Sequence, residues 1–166
     1  MVAIRSRRQA REAAIQALYM CDALGDWSAQ CIDLFVSQFC VAEEGETSNS
    51  DSIEFARLLI DGAIANLSTI DDDIGASSLH WSVARMSRVD RSILRCAAYE
   101  IGFRADIPVN VTINEAIEIA KRFSGDESPM FINGVLDKLA HSFLREVGGK
   151  IVRIGTNATP TKVAVG

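Results

Sequence analysis

The sequence is poor in proline, poor in aromatic residues and free of long apolar runs. Only three of its 166 residues are proline, 7% are aromatic, and no uninterrupted apolar stretch approaches the roughly 20 residues that span a bilayer. The arginines near the N-terminus are not followed by the apolar segment of a secretion signal. Apolar residues nevertheless make up 48% of the chain and charged residues 23%, which excludes wholesale disorder. We expect one globular domain, located in the cytoplasm and not in a membrane.

Cysteine and histidine are also scarce, and catalytic motifs are missing. The sequence contains no C-x-x-C pair, phosphate-binding glycine loop, G-x-S-x-G elbow or H-E-x-x-H pair. Structural zinc sites need closely spaced cysteines and histidines, so we expect no metal. Because the catalytic and phosphate-binding motifs are missing, we also expect no cofactor and no catalytic residues. We expect buried, reduced thiols at all four cysteines, which are Cys21, Cys31, Cys40 and Cys96.

What is present is an uneven distribution of charge. The net charge is −5, yet residues 1–21 carry four arginines and one glutamate, whereas residues 22–73 carry twelve acidic side chains and a single arginine. An acidic chain that opens with a basic cluster indicates an anionic partner. The alternative explanation is an ordinary solvated helix end.

Apolar residues recur at spacings of three and four along nearly the whole chain, which predicts amphipathic helices. The first two run from Arg7 to about Leu24 and from about Ala29 to Cys40, and a polar loop is predicted over 41–51. A further helix should resume near Thr112, and the last should continue to Val147. The remaining starts are marked by capping or dipole-complementing residues: Asp51 with Glu54, the triplet Asp71, Asp72 and Asp73, Ser87 with Asp90, and Ser128 before Pro129.

No stretch alternates with a period of two, so the prediction is an all-α fold of about seven helices in one compact domain. Gly148 and Gly149 interrupt the last apolar stripe. We therefore expect the domain to cover residues 1–148 and a flexible tail to cover residues 149–166.

Arg7, Arg8 and Arg11 lie in the first turns of the first predicted helix and share a face. Cations at a helix N-terminus oppose the helix dipole and cost about 0.3–1 kcal/mol each. Guanidinium groups beside free backbone N–H groups are, however, well matched to phosphate oxygens. The placement therefore favours an anion-binding role over a stabilising one.

The acidic remainder of the chain would repel a long DNA duplex, and no helix-turn-helix signature is present. A short single strand could contact a local basic patch, and its unstacked bases would need aromatic platforms. Phe123 and Phe131 flank the turn between the last two predicted helices and are candidates for that role. Packing in the core is the alternative role for both.

Three blocks of the sequence resemble the NusB family of transcription antitermination factors. They are R-R-Q-A-R-E-A-A-I-Q-A-L-Y at 7–19, V-D-R-S-I-L-R-C-A-A-Y-E at 89–100, and I-N-E-A-I-E-I-A-K-R-F at 113–123 followed by F-I-N-G-V-L-D-K at 131–138. The resemblance implies two small helical bundles. It also implies binding of boxA RNA together with the small-subunit ribosomal protein NusE, and through them an indirect role in an antitermination complex of RNA polymerase on ribosomal RNA operons.

The resemblance also implies roles for individual residues. RNA contacts would come from Arg7, Arg8, Arg11 and Gln16, with Phe123 and Phe131 as stacking residues and Glu127 lowering RNA affinity; Tyr19 and Asp90 would face the ribosomal partner. Met130 departs from the family, which often has a basic residue there.

Other functions remain open at the level of sequence. One is a protein-binding scaffold whose arginines meet an acidic surface. Another is a detached accessory domain of an RNA methyltransferase system. This interpretation is disfavoured, because the catalytic half would need a methyl-donor site and this sequence has none. A homodimer that covers the arginine face is a further open state.

Overall fold

The computed structural model describes residues 4–39, 49–79, 81–147 and 150–153. Its elements are α1 (Arg7–Leu24), α2 (Ala29–Phe39), α3 (Ser50–Ala65), α4 (Leu67–Ser77), a short 3-10 turn (Val83–Arg85), α5 (Arg88–Phe103), α6 (Val109–Phe123), α7 (Ser128–Phe143), and an antiparallel hairpin of β1 (Leu144–Val147) and β2 (Lys150–Arg153).

The helices form two groups that share α5. Helix α1 packs against α2 and α3, while α5, α6 and α7 pack against one another and α4 packs against α5 and α7. Helix α5 also contacts α1 and α3, which explains why its residues 92–98 are all buried. Leu18, Leu59, Ile93 and Leu136 are among the fully buried side chains of the continuous core. The predicted helical fold of seven α-helices in two small bundles is confirmed, and the hairpin of β1 and β2 is the one departure from it among the described residues.

Both predicted ends of α1 and the predicted start of α5 agree with the structure. Helix α1 spans the predicted residues, with the Ser6 side chain as N-cap acceptor and Gly25 as a left-handed C-cap at φ 65°. Ser87 caps α5 by accepting a hydrogen bond from the Asp90 backbone N–H, at 3.0 Å.

Three local predictions are wrong. The N-cap of α3 is Asn49, whose side chain accepts from the Asp51 N–H, and not Asp51 itself. The triplet Asp71–Asp73 lies in the middle of α4, where Asp71 forms an ion pair with Arg95, and does not open the helix. Helix α7 ends at Phe143, because residues 144–147 pair with 150–153 as a hairpin.

The expected state of the cysteines is confirmed wherever it can be compared. Cys21, Cys31 and Cys96 are free and buried, and burial raises the pKa of the Cys21 thiol to about 12. Cys40 and residues 41–48 of the predicted loop over 41–51 lie outside the described residues, as do residues 149 and 154–166 of the predicted tail over 149–166. Lys150–Arg153, in the predicted tail, form β2. Within the described residues, no group of acidic, histidine or cysteine side chains could hold a metal ion. No helix in that same part of the chain has the length and apolarity to cross a membrane.

A glycine in α3 allows the close packing of α5. A Cβ atom built on Gly62 would lie 2.0 Å from Cζ of the Tyr99 ring, which itself stacks on Phe103 with centroids 5.4 Å apart. Gly62→Ala should therefore displace the Tyr99 ring and lower the free energy of unfolding by about 1–3 kcal/mol, the usual cost of overpacking.

Urea unfolding measures this loss, and Gly134→Ala is the matched control. Gly134 lies in α7, and a Cβ atom there would meet no atom within 4 Å, so this substitution should be neutral or slightly stabilising. Equal effects of the two substitutions would contradict the packing argument.

Candidate nucleic-acid interface

Arg7, Arg8 and Arg11 occupy the first turns of α1, as predicted, but the fold gives each of them a different environment. The three guanidinium groups point to Phe55 of α3, Glu115 of α6 and Glu100 of α5 respectively. The environments differ because α3 and α5 both pack against α1.

Arg11 is a buried structural cation. Its Nε and Nη2 groups donate to the two carboxylate oxygens of Glu100 at 2.7 and 2.8 Å, and the residue is only 6% exposed. Thr112 Oγ1 donates to the same carboxylate at 3.1 Å. Burial opposes ionisation of Arg11, but the hydrogen bonds to Glu100 outweigh it and hold the Arg11 pKa above its ordinary value. In this structure the Arg11 guanidinium has no exposed surface of consequence, and its contact with RNA stays a prediction.

Arg8 is half-exposed and forms a bidentate ion pair. Its Nε donates to Glu115 Oε2 at 2.9 Å and its Nη2 to Oε1 at 2.7 Å, with 51% of the Arg8 side chain exposed. The hydrogen bond and charge of Glu115 raise the Arg8 pKa, and Arg8 in turn lowers the pKa of Glu115. Both groups are thus ionised at neutral pH.

Arg7 is exposed and lies over an aromatic ring. Its Cζ is 4.1 Å from the centroid of the buried Phe55 ring, a cation–π arrangement that orders the side chain without neutralising it. No carboxylate of the described residues is within ion-pair distance of Arg7. Arg7 is therefore the cation of the three that keeps its N–H groups for another molecule.

The side of α1 that faces α6 continues as a groove. Residues four apart on a helix share a face, and Glu12, one turn after Arg8, accepts from Arg122 Nη1 at 3.1 Å. One turn further, Gln16 and Tyr19 line an apolar cleft with Phe123, which closes the end of α6. Tyr19 and Phe123 are 42% and 45% exposed. The fold thus brings Gln16, Phe123 and Tyr19 to one cleft.

The turn between α6 and α7 is held by Asp90. Its carboxylate accepts from Ser124 Oγ at 2.5 Å and from Ser128 Oγ at 3.2 Å, so the residue predicted to face the ribosomal partner also ties three helix ends together. Glu127 is exposed in this turn and lines a second cleft with the half-buried Phe131. The partner contacts of Tyr19 and Asp90 stay predictions.

Sequence reasoning missed the acidic partners of the arginines and one aromatic residue. Glu100 and Glu115 carry the ion pairs of Arg11 and Arg8, and no motif singles out either of them. Trp81, half-exposed beneath the Arg85 guanidinium at 5.5 Å, lines the same cleft as Phe131. A signal existed for Glu100, because it lies seven residues after Ile93 on the buried stripe of α5.

These features define a class of protein. It is a small helical domain that presents exposed cations and a cleft with aromatic side chains along its first helix, an arrangement suited to binding an anionic partner. The model described as the NusB family matches residues 8–141. The transcription antitermination protein NusB of Citrifermentans bemidjiense is 46% identical over 136 residues, which cover 81% of this chain and 94% of that protein. The protein of the same name from Desulfitobacterium hafniense is 46% identical over 139 residues, covering 82% and 89%.

Solved structures agree with these relatives. NusB of T. maritima superposes with a TM-score of 0.72 at 40% identity, covering 83% of this chain and 92% of that one. A chain from the crystal structure of antitermination factors NusB and NusE in complex with double-stranded RNA superposes with a TM-score of 0.70 at 25% identity, covering 82% and 97%. The chain belongs to the NusB family.

Proposed function

We propose that this chain is a transcription antitermination factor that binds boxA-type single-stranded RNA together with the ribosomal protein NusE and promotes processive transcription of ribosomal RNA operons. The observation that carries the proposal is the 46% identity to antitermination NusB proteins over nearly their whole length. The solved complex of NusB, NusE and RNA, which superposes on this fold, supports the two partners.

The geometry supports a specific RNA-binding surface. Arg7 and Arg8 are the exposed cations at the start of α1, and the cleft lined by Gln16 and Phe123 continues from them along the same helix. Phosphates would contact the arginines, and an unstacked base would lie on the exposed Phe123 ring. Glu127 and Phe131 would extend the surface around the α6–α7 turn, and Tyr19 and Asp90 would border the NusE contact.

The protein would act by binding, without a catalytic step, because its relatives are named for antitermination and not for a reaction. Its site of action would be the cytoplasm, where bacterial RNA is transcribed. The contact with RNA polymerase would be indirect. The match over 94% of the length of an antitermination NusB disfavours both the scaffold and the methyltransferase accessory domain.

The test is a titration of labelled single-stranded boxA-type RNA with this protein, with and without NusE, between about 50 and 200 mM salt. Arg7→Ala combined with Arg8→Ala should weaken binding roughly tenfold and flatten the log–log salt dependence by about 1.4, since each lost single-strand phosphate contact removes about 0.7.

Arg57→Ala is the matched control, because Arg57 is a partly exposed arginine on α3 that pairs with Asp33 and Asp61. It should leave RNA affinity nearly unchanged. Wild-type protein that binds NusE but neither single-stranded nor duplex RNA would support the scaffold instead.

A further inference from the structure

Glu115 occupies the part of Arg8 that a phosphate would use. The two carboxylate oxygens of Glu115 accept hydrogen bonds from Nε and Nη2 of Arg8. These two N–H groups form the edge of the guanidinium that can bind two oxygens of one phosphate. Arg8 is 51% exposed, whereas Glu115 is 19% exposed and is held on the α1-facing side of α6. Arg8 is therefore the more exposed partner and the one whose side chain can turn toward a molecule in solution.

Resting on the proposed function, we infer that Glu115 is an intramolecular competitor of RNA: its carboxylate closes the Arg8 guanidinium in the free protein and is exchanged for an RNA phosphate on binding. Glu115 thereby sets the RNA affinity of the α1 face. Glu115 would lower the RNA affinity by competing for Arg8, without binding RNA itself.

A second cation makes this exchange feasible. Arg11 Nη1 lies 4.0 Å from Glu115 Oε2, and Arg11 is anchored by Glu100 and cannot follow Arg8 outward. When Arg8 turns to a phosphate, Glu115 still has a cation at the edge of ion-pair distance. A partly buried carboxylate without a nearby cation would oppose the departure of Arg8. Arg11 supplies that cation for Glu115.

The opposite role would be positioning, in which Glu115 holds Arg8 in the orientation that RNA requires. The two roles predict opposite signs. Removing the charge of a competitor strengthens RNA binding, whereas removing a positioning residue weakens it.

The experiment compares RNA titrations of wild-type protein and Glu115→Gln at low salt, with the single-stranded boxA-type probe. The amide keeps the shape of the side chain but loses the charge, so affinity should rise roughly two- to fivefold, the range expected for a partly exposed ion pair. The log–log salt slope should stay close to that of the wild type, because Arg8 neutralises one RNA phosphate in both proteins.

Glu118→Gln is the matched control. Glu118 lies on α6 about one turn after Glu115, is 47% exposed and pairs with Lys121 at 2.7 Å. Its substitution removes the same charge without touching the Arg8 hydrogen bonds, so its effect measures the general electrostatic gain. An equal gain in Glu118→Gln and Glu115→Gln would overturn the inference.

A double-mutant cycle provides the decisive comparison. In an Arg8→Ala background, Glu115→Gln should no longer strengthen binding beyond the gain of Glu118→Gln, because the competition acts through Arg8. Thermal unfolding of each variant verifies that it is folded. Wild-type binding with unchanged or weaker binding of Glu115→Gln overturns this inference alone, whereas no RNA binding by any variant overturns the proposed function as well.

Discussion

Replacing Arg11 by alanine is expected to lower the free energy of unfolding by about 3–5 kcal/mol, the cost of breaking a buried ion pair from one side. The Arg11 side chain is 7% exposed and that of Glu100 is 1% exposed, so the substitution removes the bidentate cation from a buried carboxylate that also accepts from the Thr112 hydroxyl. Urea unfolding followed by circular dichroism gives the magnitude.

The comparison that identifies the cause is a pair of substitutions. Arg11→Met with Glu100→Leu replaces both charges by apolar side chains of similar volume, and such replacements of buried pairs are often neutral or stabilising. Arg7→Ala, which removes an exposed arginine of the same helix, should cost less than about 1 kcal/mol. If Arg11→Ala unfolds no more easily than Arg7→Ala, the buried pair contributes nothing.

The same paired variant tests whether Arg11 contacts RNA. A folded protein that carries both apolar replacements would retain Arg7 and Arg8 on the surface, since Phe55 and Glu115, which these arginines contact, are unchanged. RNA affinity close to that of the wild type would give Arg11 a structural role, and a tenfold loss would support the predicted contact.

Asp22→Ala should produce the second large loss, about 2–3 kcal/mol. Asp22 of α1 accepts hydrogen bonds from Arg91 and from Arg95, at 3.0 Å for the latter, and Arg95 also binds Asp71 of α4. The cluster therefore joins α1, α4 and α5. The substitution takes the carboxylate away from Arg91, which is mostly buried, and this makes the loss large. The loss should still be smaller than that of Arg11→Ala, because Arg95 keeps its second carboxylate, Asp71.

The pH dependence of this loss has a definite sign. Burial opposes ionisation of Asp22, but hydrogen bonds from Arg91 and Arg95 outweigh it and lower the Asp22 pKa in the folded protein. The stabilisation is therefore complete above the unfolded pKa of about 3.9 and is lost as the pH falls through the lowered folded value. Thermal unfolding of wild type and variant should differ fully at pH 7 and converge in strong acid.

Asp33→Ala is the control for this series. Asp33 is an exposed aspartate that pairs with Arg57 on the surface, and such pairs contribute about 0–1 kcal/mol. A loss as large as that of Asp22→Ala would show that the burial of the Asp22 cluster is not what makes it strong.

The order and type of the helices could be predicted because periodicity and capping are local. The spacing of apolar residues predicts α1 over Arg7–Leu24, and Ser87 marks the start of α5. The Asp71–Asp73 triplet does not open a helix because tertiary contacts outweigh the dipole rule, since Asp71 is held by Arg95 from α5. The hairpin escapes prediction although Gly148 and Gly149 separate its two strands, because the apolar stripe of α7 continues at helical spacing through Val147.

In the candidate site, too, local features could be predicted from the sequence and contacts between helices could not. The sequence by itself determined that arginines crowd the start of α1 and that Phe123 closes α6, since both follow from neighbours along the chain. Only the tertiary structure decided which arginine stays accessible. Glu100 and Glu115 are 89 and 107 positions away from the arginines they bind, and no local pattern encodes a pairing across three packed helices. Burial then separates Arg11 from Arg8, because a charge removed from water must keep its partner while a half-exposed one can exchange it.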